Sequence, residues 1–409
     1  MNFDLIKREL ENLKSPLYRN SIYISLSFLI TAVAGFLFWS IAARLYPSSD
    51  VGVASAIVSA INLVFTISML GMNFAIIRFY PEYRERAIGS SLVITIIASF
   101  LFSILYGIIM GRSESFRSIF SAEFLIIFIT FSMIGTSYNL ISIYAIAKRK
   151  AEHSFVQAVL FSVRFVFLFF LVSWGVLGIV SSFGLGLLLG LVYGLIFVDG
   201  IRLALDLEYL KASFRFSLGN YIANLANVTP NYLMPTIVLT ILGEEQAAYY
   251  YIAFAVGNML LFVPNAINTS FFVEGSHGFS NIKKTLKKAL FLSYVYLLGA
   301  LVFVWLFGGY VLELFRPEYV KGFGLLKLMV LGGFFVVPVN FSITILNIQK
   351  RVREVVGINL LKAALFLGLS YLLIPRFGIE GVGWGWIGGY GIALMILIVS
   401  YTKLMCYSD

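Results

Sequence analysis

The sequence predicts an all-α integral membrane protein of about twelve transmembrane helices, arranged as two pseudo-symmetric six-helix bundles. Three observations predict this. Sixty per cent of the 409 residues are apolar and only 12% are charged, against roughly 25% charged in a soluble domain. Apolar runs long enough to cross a hydrocarbon core, about 20 residues each, recur along the whole chain. Short signals in the first half return at matching places in the second.

Residues 1–19 form a polar N-terminal segment in which Phe3, Ile6, Leu10 and Leu13 fall at helical spacing. That spacing fits an amphipathic helix over 3–14 lying on a membrane surface. Helices are then expected at 20–43, 51–77, 87–110, 121–147, 154–174 and 178–200. A second set is expected at 215–242, 246–272, 289–309, 323–348, 355–374 and 379–402. The first bundle is placed at 20–205 and the second at 206–409. The only cysteine is Cys406, so no intrachain disulfide is possible.

Lysine and arginine give the orientation, because cytoplasmic loops are enriched in both. One set of alternate loops, including both termini, holds 21 of them; the other set holds six. The alternation persists through all twelve spans and predicts both termini in the cytoplasm. The net charge of +10 therefore belongs to loops rather than to a nucleic-acid surface.

The repeat appears at three places. "ARLYPSSDVGVASAI" and "LTILGEEQAAYYYIAF" are both a helix end, a polar turn and a small-residue helix start. "KRKAE" at 148–152 pairs with "KRVRE" at 350–354. "WGVLGIV" at 174–180 pairs with "FGIEGVG" at 377–383, aligning Gly175 and Gly178 with Gly378 and Gly381. Six helices per repeat keep both halves in the same topology, a plan that transporters use for alternating access.

Within the spans, polar groups stand out. Arg164 lies near the centre of the fifth helix, where a charge costs about 2.5–3.5 kcal/mol on the insertion scale. Lys362 lies in the eleventh. Arg164 is twelve residues after Glu152 and Lys362 eight after Glu354, a difference of one turn, which puts both on one face of equivalent helices. Asn220, Asn224, Asn227 and Asn231 form a stripe on the seventh helix, and Asn258 lies on the eighth. Such amides suit sugars or headgroups. Pro230 and Pro235 are expected to kink the seventh helix. No Asp or Glu falls at the centre of a span, which favours an anionic cargo over cation coupling.

The segment "FLFWSIAARLYPSSDVGVASAIVSAI" (36–61), the two basic loops and the six-plus-six layout resemble polysaccharide-export flippases of the Wzx type. These belong with the MATE multidrug transporters and the lipid II flippases in one superfamily. The resemblance implies two lobes around a central cavity. It implies a monomer, without a cofactor, that moves an oligosaccharide on a polyprenyl phosphate or diphosphate to the outer leaflet. It also implies basic cavity residues that hold the phosphate: Arg164 and Lys362, with Arg44 and Arg78 as further candidates. The acidic residue that MATE transporters carry in their first helix is missing from 20–43. A cation-coupled MATE-type exporter of small molecules is the alternative. A membrane enzyme acting on the same lipids would need carboxylates or histidines in a sizeable outer loop, and His153 and His277 both fall at loops of the basic set.

Overall fold

The computed structural model describes residues 16–112, 122–277 and 282–405. The amphipathic segment expected at 3–14 and Cys406 lie outside them. The described chain is helical nearly throughout. The first half contains α1 (Pro16–Leu45), α2 (Ser48–Ser68), α3 (Met72–Tyr83), α4 (Glu85–Met110), α5 (Ala122–Ala147), α6 (Ala151–Ser162), α7 (Arg164–Phe170) and α8 (Val176–Phe197). The second contains α9 (Leu207–Leu242), α10 (Glu244–Leu260), α11 (Phe262–His277), α12 (Ile282–Glu313), α13 (Phe323–Ile348), α14 (Val352–Phe377) and α15 (Glu380–Met405). Among the described residues eleven helices are long and apolar enough to cross a membrane, and the bent pair α10–α11, counted as one span, brings the number to twelve. A lipid-facing segment must satisfy its own backbone groups, which is why these runs are helices.

The chain forms two compact units. One comprises Met1–Pro47 and Ile57–Tyr221, the other Ser48–Ala56 and Ile222–Asp409. In the first, α6 packs against α1 and α8, and α8 also covers α5 and α7. In the second, α15 packs on α14 and α13, and α13 contacts α10, α11 and α12.

The repeat seen in sequence has a backbone counterpart. Arg149 and Lys350 both adopt left-handed conformations, with φ of 60° and 59°. Lys150 N–H donates to the Ala145 carbonyl and Arg149 N–H to Ile146; Arg351 and Lys350 make the same pair to Leu346 and Asn347. Both are Schellman caps. In the first, Lys148 Nζ donates to the Asp199 carbonyl and Lys150 Nζ to its carboxylate at 2.8 Å. That hydrogen bond holds the Asp199 carboxyl below its usual range and raises the Lys150 ammonium.

Gly175 and Gly378 also match, with φ/ψ of 54°/−128° and 59°/−142°, which only glycine adopts without strain. Three residues on, a methyl at Gly178 would lie 2.1 Å from the Leu171 carbonyl oxygen, and one at Gly381 would lie 2.6 Å from Ile374 N. From these glycines run two stripes of small residues, Gly178, Ser182, Gly186, Gly190 and Gly194 on α8 and Gly381, Gly385 and Gly389 on α15. Every glycine in both stripes sits within 3 Å, by its missing Cβ, of a neighbouring helix or turn. Small residues every fourth position let helix backbones approach in a membrane.

Three predicted spans are not continuous. The second, expected over 51–77, turns at Leu70 (φ 47°) and Gly71 (φ 82°), where a Gly71 Cβ would lie 2.6 Å from the Ser217 Cβ. The eighth bends by 43° between α10 and α11. Pro264 explains this, because a proline ring collides with the carbonyl four residues earlier, here Leu260, the last residue of α10. The fifth breaks at Val163. The prolines expected to kink the seventh span leave α9 helical from end to end.

Gly178→Ala and Gly381→Ala should each lower thermal stability of the purified protein, by about 1–3 kcal/mol if the helices cannot shift. Gly299→Ala, with nothing within 4 Å of its Cβ position, should be neutral or slightly stabilising. Equal melting temperatures for all three variants would show that the close approach at Gly178 and Gly381 is not needed.

Candidate functional site

Each unit buries one cation between the same three members of its repeat. In the first unit, Arg164 is 4% exposed and opens α7 directly after the Val163 break. At this break the N–H of Val163 turns back to Leu160 and that of Val166 to Val163. Arg164 Nη1 donates to the Phe161 carbonyl at 3.1 Å. Its guanidinium carbon lies 3.8 Å from the Phe161 ring centre, 5.5 Å from Phe38 on α1 and 5.9 Å from Phe183 on α8. Desolvated cation–π contacts are worth about 2 kcal/mol, and a guanidinium is weakly hydrated and stacks well. Glycine makes the room: a Cβ on Gly186 would lie 2.7 Å from the Arg164 Cβ, and one on Gly35 would lie 3.5 Å from its Nη2.

In the second unit, Lys362 on α14 is 3% exposed. Its Nζ donates to Asn227 Oδ1 on α9 at 2.7 Å and lies 5.4 Å from the Tyr390 ring centre on α15. A small cavity at this point is lined by Asn227, Pro230, Asn231, Lys362, Trp386 and Tyr390, among others. One turn below, Asn359 Nδ2 donates to the Ala223 carbonyl at 3.3 Å, tying α14 to α9 a second time. Asn227 is exposed and Asn231 half-buried, so the buried ammonium is reached past an amide that is open on its other side.

Equivalent helices thus contribute in both units: the first (α1 or α9), the fifth (α6–α7 or α14) and the sixth (α8 or α15). Counted from the left-handed cap residue, Arg164 is fifteen residues on from Arg149 and Lys362 twelve on from Lys350. The offset is three residues, where the Glu residues gave four. Both spacings keep a residue on one helix face.

The other predicted residues are dispersed. Asn220 is exposed and Asn224 half-buried. Asn258 is half-buried at the bend, where its carbonyl accepts from Leu261 N–H. Arg44 is exposed. Arg78 is exposed, forms an i,i+4 ion pair with Glu82 at 3.8 Å and lies over Phe79. Sequence reasoning missed the aromatic faces around both cations, Phe38, Phe161, Phe183 and Tyr390. It found Gly178 and Gly381 but missed the glycines beyond them that let α8 and α15 approach, although their fourfold spacing was visible. Among the described residues no cluster of His, Cys, Asp or Glu is arranged to hold a metal ion.

The fold and the site define a multi-pass helical membrane protein with polar groups held inside its spans. The chain belongs to the polysaccharide biosynthesis protein family, whose model matches residues 17–272. No curated protein matches it by sequence. Among solved structures it resembles the lipid II flippase MurJ in an inward closed conformation, at a TM-score of 0.77 and 12% identity. That match covers 93% of this chain and 87% of that one. It also resembles an inward-facing multidrug resistance MATE family transporter of the MOP superfamily, at a TM-score of 0.72 and 16% identity over 95% and 98% of the two chains. A MOP superfamily transporter from Pyrococcus furiosus Vc1 (DSM3638) matches at 0.60 and 15% identity, over 96% of each chain. At these identities the likeness is one of fold.

Lys362 and Asn227 should be energetically coupled. In a double-mutant cycle, Lys362→Met and Asn227→Leu should give an interaction of about 0.5–3 kcal/mol in thermal stability, whereas Lys362→Met with Asn258→Leu should be additive. Additivity in both cycles would mean that the 2.7 Å hydrogen bond is not held in the membrane-embedded protein.

Proposed function

We propose that the protein is a flippase that moves an oligosaccharide linked to a polyprenyl phosphate or diphosphate from the cytoplasmic to the outer leaflet. It acts as a monomer by alternating access, with both termini in the cytoplasm, and serves cell-surface polysaccharide or glycoprotein synthesis. The observation that carries the reading is the Lys362–Asn227 pair, a buried ammonium beneath an exposed amide. An ammonium is a point donor for a phosphate oxygen, and an amide supplies both a donor and an acceptor to a sugar hydroxyl. Membership of the polysaccharide biosynthesis family and the likeness in fold to a lipid II flippase support the same class of cargo.

In this reading Arg164 and Lys362 meet the phosphate, directly or as the lobes rearrange. Asn220, Asn224, Asn227, Asn231 and Asn258 meet the glycan, and Arg44 and Arg78 attract the headgroup at the helix ends. The Asn227 amide and the Tyr390 face hold Lys362 loosely enough for exchange, whereas a buried carboxylate partner would compete with the phosphate. The absence of Asp and Glu from span centres weighs against cation-coupled export of small molecules.

Purified protein in proteoliposomes should accelerate leaflet exchange of a labelled lipid-linked oligosaccharide. Lys362→Ala and Arg164→Ala should each slow it by roughly 10- to 100-fold, the weight of one charge-assisted hydrogen bond. Arg112→Ala, an exposed arginine beyond the end of α4, should leave it unchanged. Folded protein that gives no acceleration would overturn the proposed cargo, and equal effects of all three variants would remove both buried cations from the binding site.

A further inference from the structure

The junction between the repeats carries a surface that the transport reading does not use. Residues 198–206 join α8 to α9, and both of those helices are membrane-crossing, so so short a connection runs along a bilayer surface. Its polar side is fastened to α4. Asp206 N–H donates to Ser90 Oγ at 2.8 Å, and the Asp206 carboxylate pairs with Arg86 at 3.1 Å. The Asp206 carboxylate also caps α9 by accepting from Tyr209 N–H at 3.0 Å. The contact is close because residue 89 is glycine; a Cβ there would lie 2.1 Å from the Arg202 carbonyl oxygen. The connection therefore has a fixed inner side.

The leucines are left outside. Leu203 is 72% exposed, Leu205 62% and Leu207 76%. Arg202 and Ala204 are exposed as well, so the whole stretch 202–205 lies on the outside. On α9 the exposed face continues from Leu207 through Lys211 to Phe214, at spacings of four and three, with Arg215 beside it. This face is turned by roughly 140° from the asparagine stripe of the same helix at 100° per residue. Apolar side chains interleaved with cations at a membrane boundary match an acyl-chain edge under anionic headgroups.

We propose that Leu203, Leu205 and Leu207, with Lys211, Phe214 and Arg215, form an interfacial anchor that inserts into a bilayer and selects anionic phospholipid. The occupant is bilayer lipid rather than a protein partner. Three clusters place it there: the boundary position of the connection, its fastening to α4, and the basic residues next to the leucines.

The test uses the full chain with Cys406→Ser, labelled with an environment-sensitive fluorophore at a single cysteine replacing Leu203, Ala204 or Leu205. Each is reconstituted into vesicles of phosphatidylcholine alone or with phosphatidylglycerol. A lipid-borne doxyl quencher should lower the emission of the labels at 203 and 205 at least about twofold, as expected of an inserted edge. Paired Lys211→Glu and Arg215→Glu changes should reduce the preference for phosphatidylglycerol on the order of tenfold. Quenching by water-borne iodide alike at all three positions would overturn the anchor. Shielding from both quenchers would also overturn it, because a protein partner would then cover the segment. Insertion that is identical with and without phosphatidylglycerol would overturn the selection of anionic lipid.

Discussion

A bilayer interior offers no hydrogen-bond partner to a backbone, and this constraint governs where the chain can depart from a helix. Each departure found within the spans is answered locally. At Val163 the chain tightens to i−3 hydrogen bonds, and the Phe161 carbonyl accepts from the Arg164 guanidinium. At Leu261 the break falls where Pro264 would have collided with Leu260, and Leu261 N–H goes to the Asn258 carbonyl instead. At Leu70 and Gly71 left-handed residues turn the chain beside α9, and Tyr221 hydroxyl donates to the Ile67 carbonyl at 2.6 Å. Irregular backbone is thus confined to places where polar side chains also sit. The candidate residues and the helix breaks are consequences of one requirement.

The same requirement shapes the two buried cations. An unpaired charge in a low-dielectric interior is strongly unfavourable, so each must be stabilised by what its neighbours provide. Arg164 has three aromatic faces and a carbonyl. Lys362 has an amide oxygen and one aromatic face. The chemical difference follows the environment. A planar guanidinium disperses its charge and tolerates an aromatic enclosure, while a compact ammonium keeps a strong demand for oxygen acceptors. Lys362 accordingly lies at a small cavity whose lining includes the amides of Asn227 and Asn231.

Much of this was legible in the sequence because lipid imposes a simple code. The twelve spans follow from apolar length, and the repeat followed from short motifs whose backbone roles are now clear. Arg149 and Lys350 are left-handed caps, and Gly175 and Gly378 occupy a region closed to other residues. Arg164 and Lys362 were conspicuous because charge is rare in a span. Breaks were harder. A proline marks a possible bend but does not say whether neighbouring helices will enforce it: Pro264 sits just past one, while Pro230 and Pro235 remain inside a continuous α9. The aromatic partners of the cations were not legible, since Phe38 and Phe183 are ordinary apolar residues until α1 and α8 bring them to Arg164. The asparagine stripe was read as a unit from its spacing, yet only contact with α14 distinguishes Asn227 within it.

The glycine stripes connect these observations. Bulkier residues on α8 would hold it away from α6 and α7, and the Gly186 position would collide with the Arg164 Cβ and the Phe161 carbonyl. The aromatic enclosure depends on that approach, because Phe183 reaches the guanidinium from α8 itself. On α15, Gly385 and Gly389 admit Ser370 and Phe366 of α14 in the same way, which sets Tyr390 beside Lys362. Close helix packing by small residues and burial of a cation are therefore one arrangement used twice. The two copies differ in the cation they hold, in the groups that face it, and in the helix that carries it, broken at Val163 in one and continuous in the other.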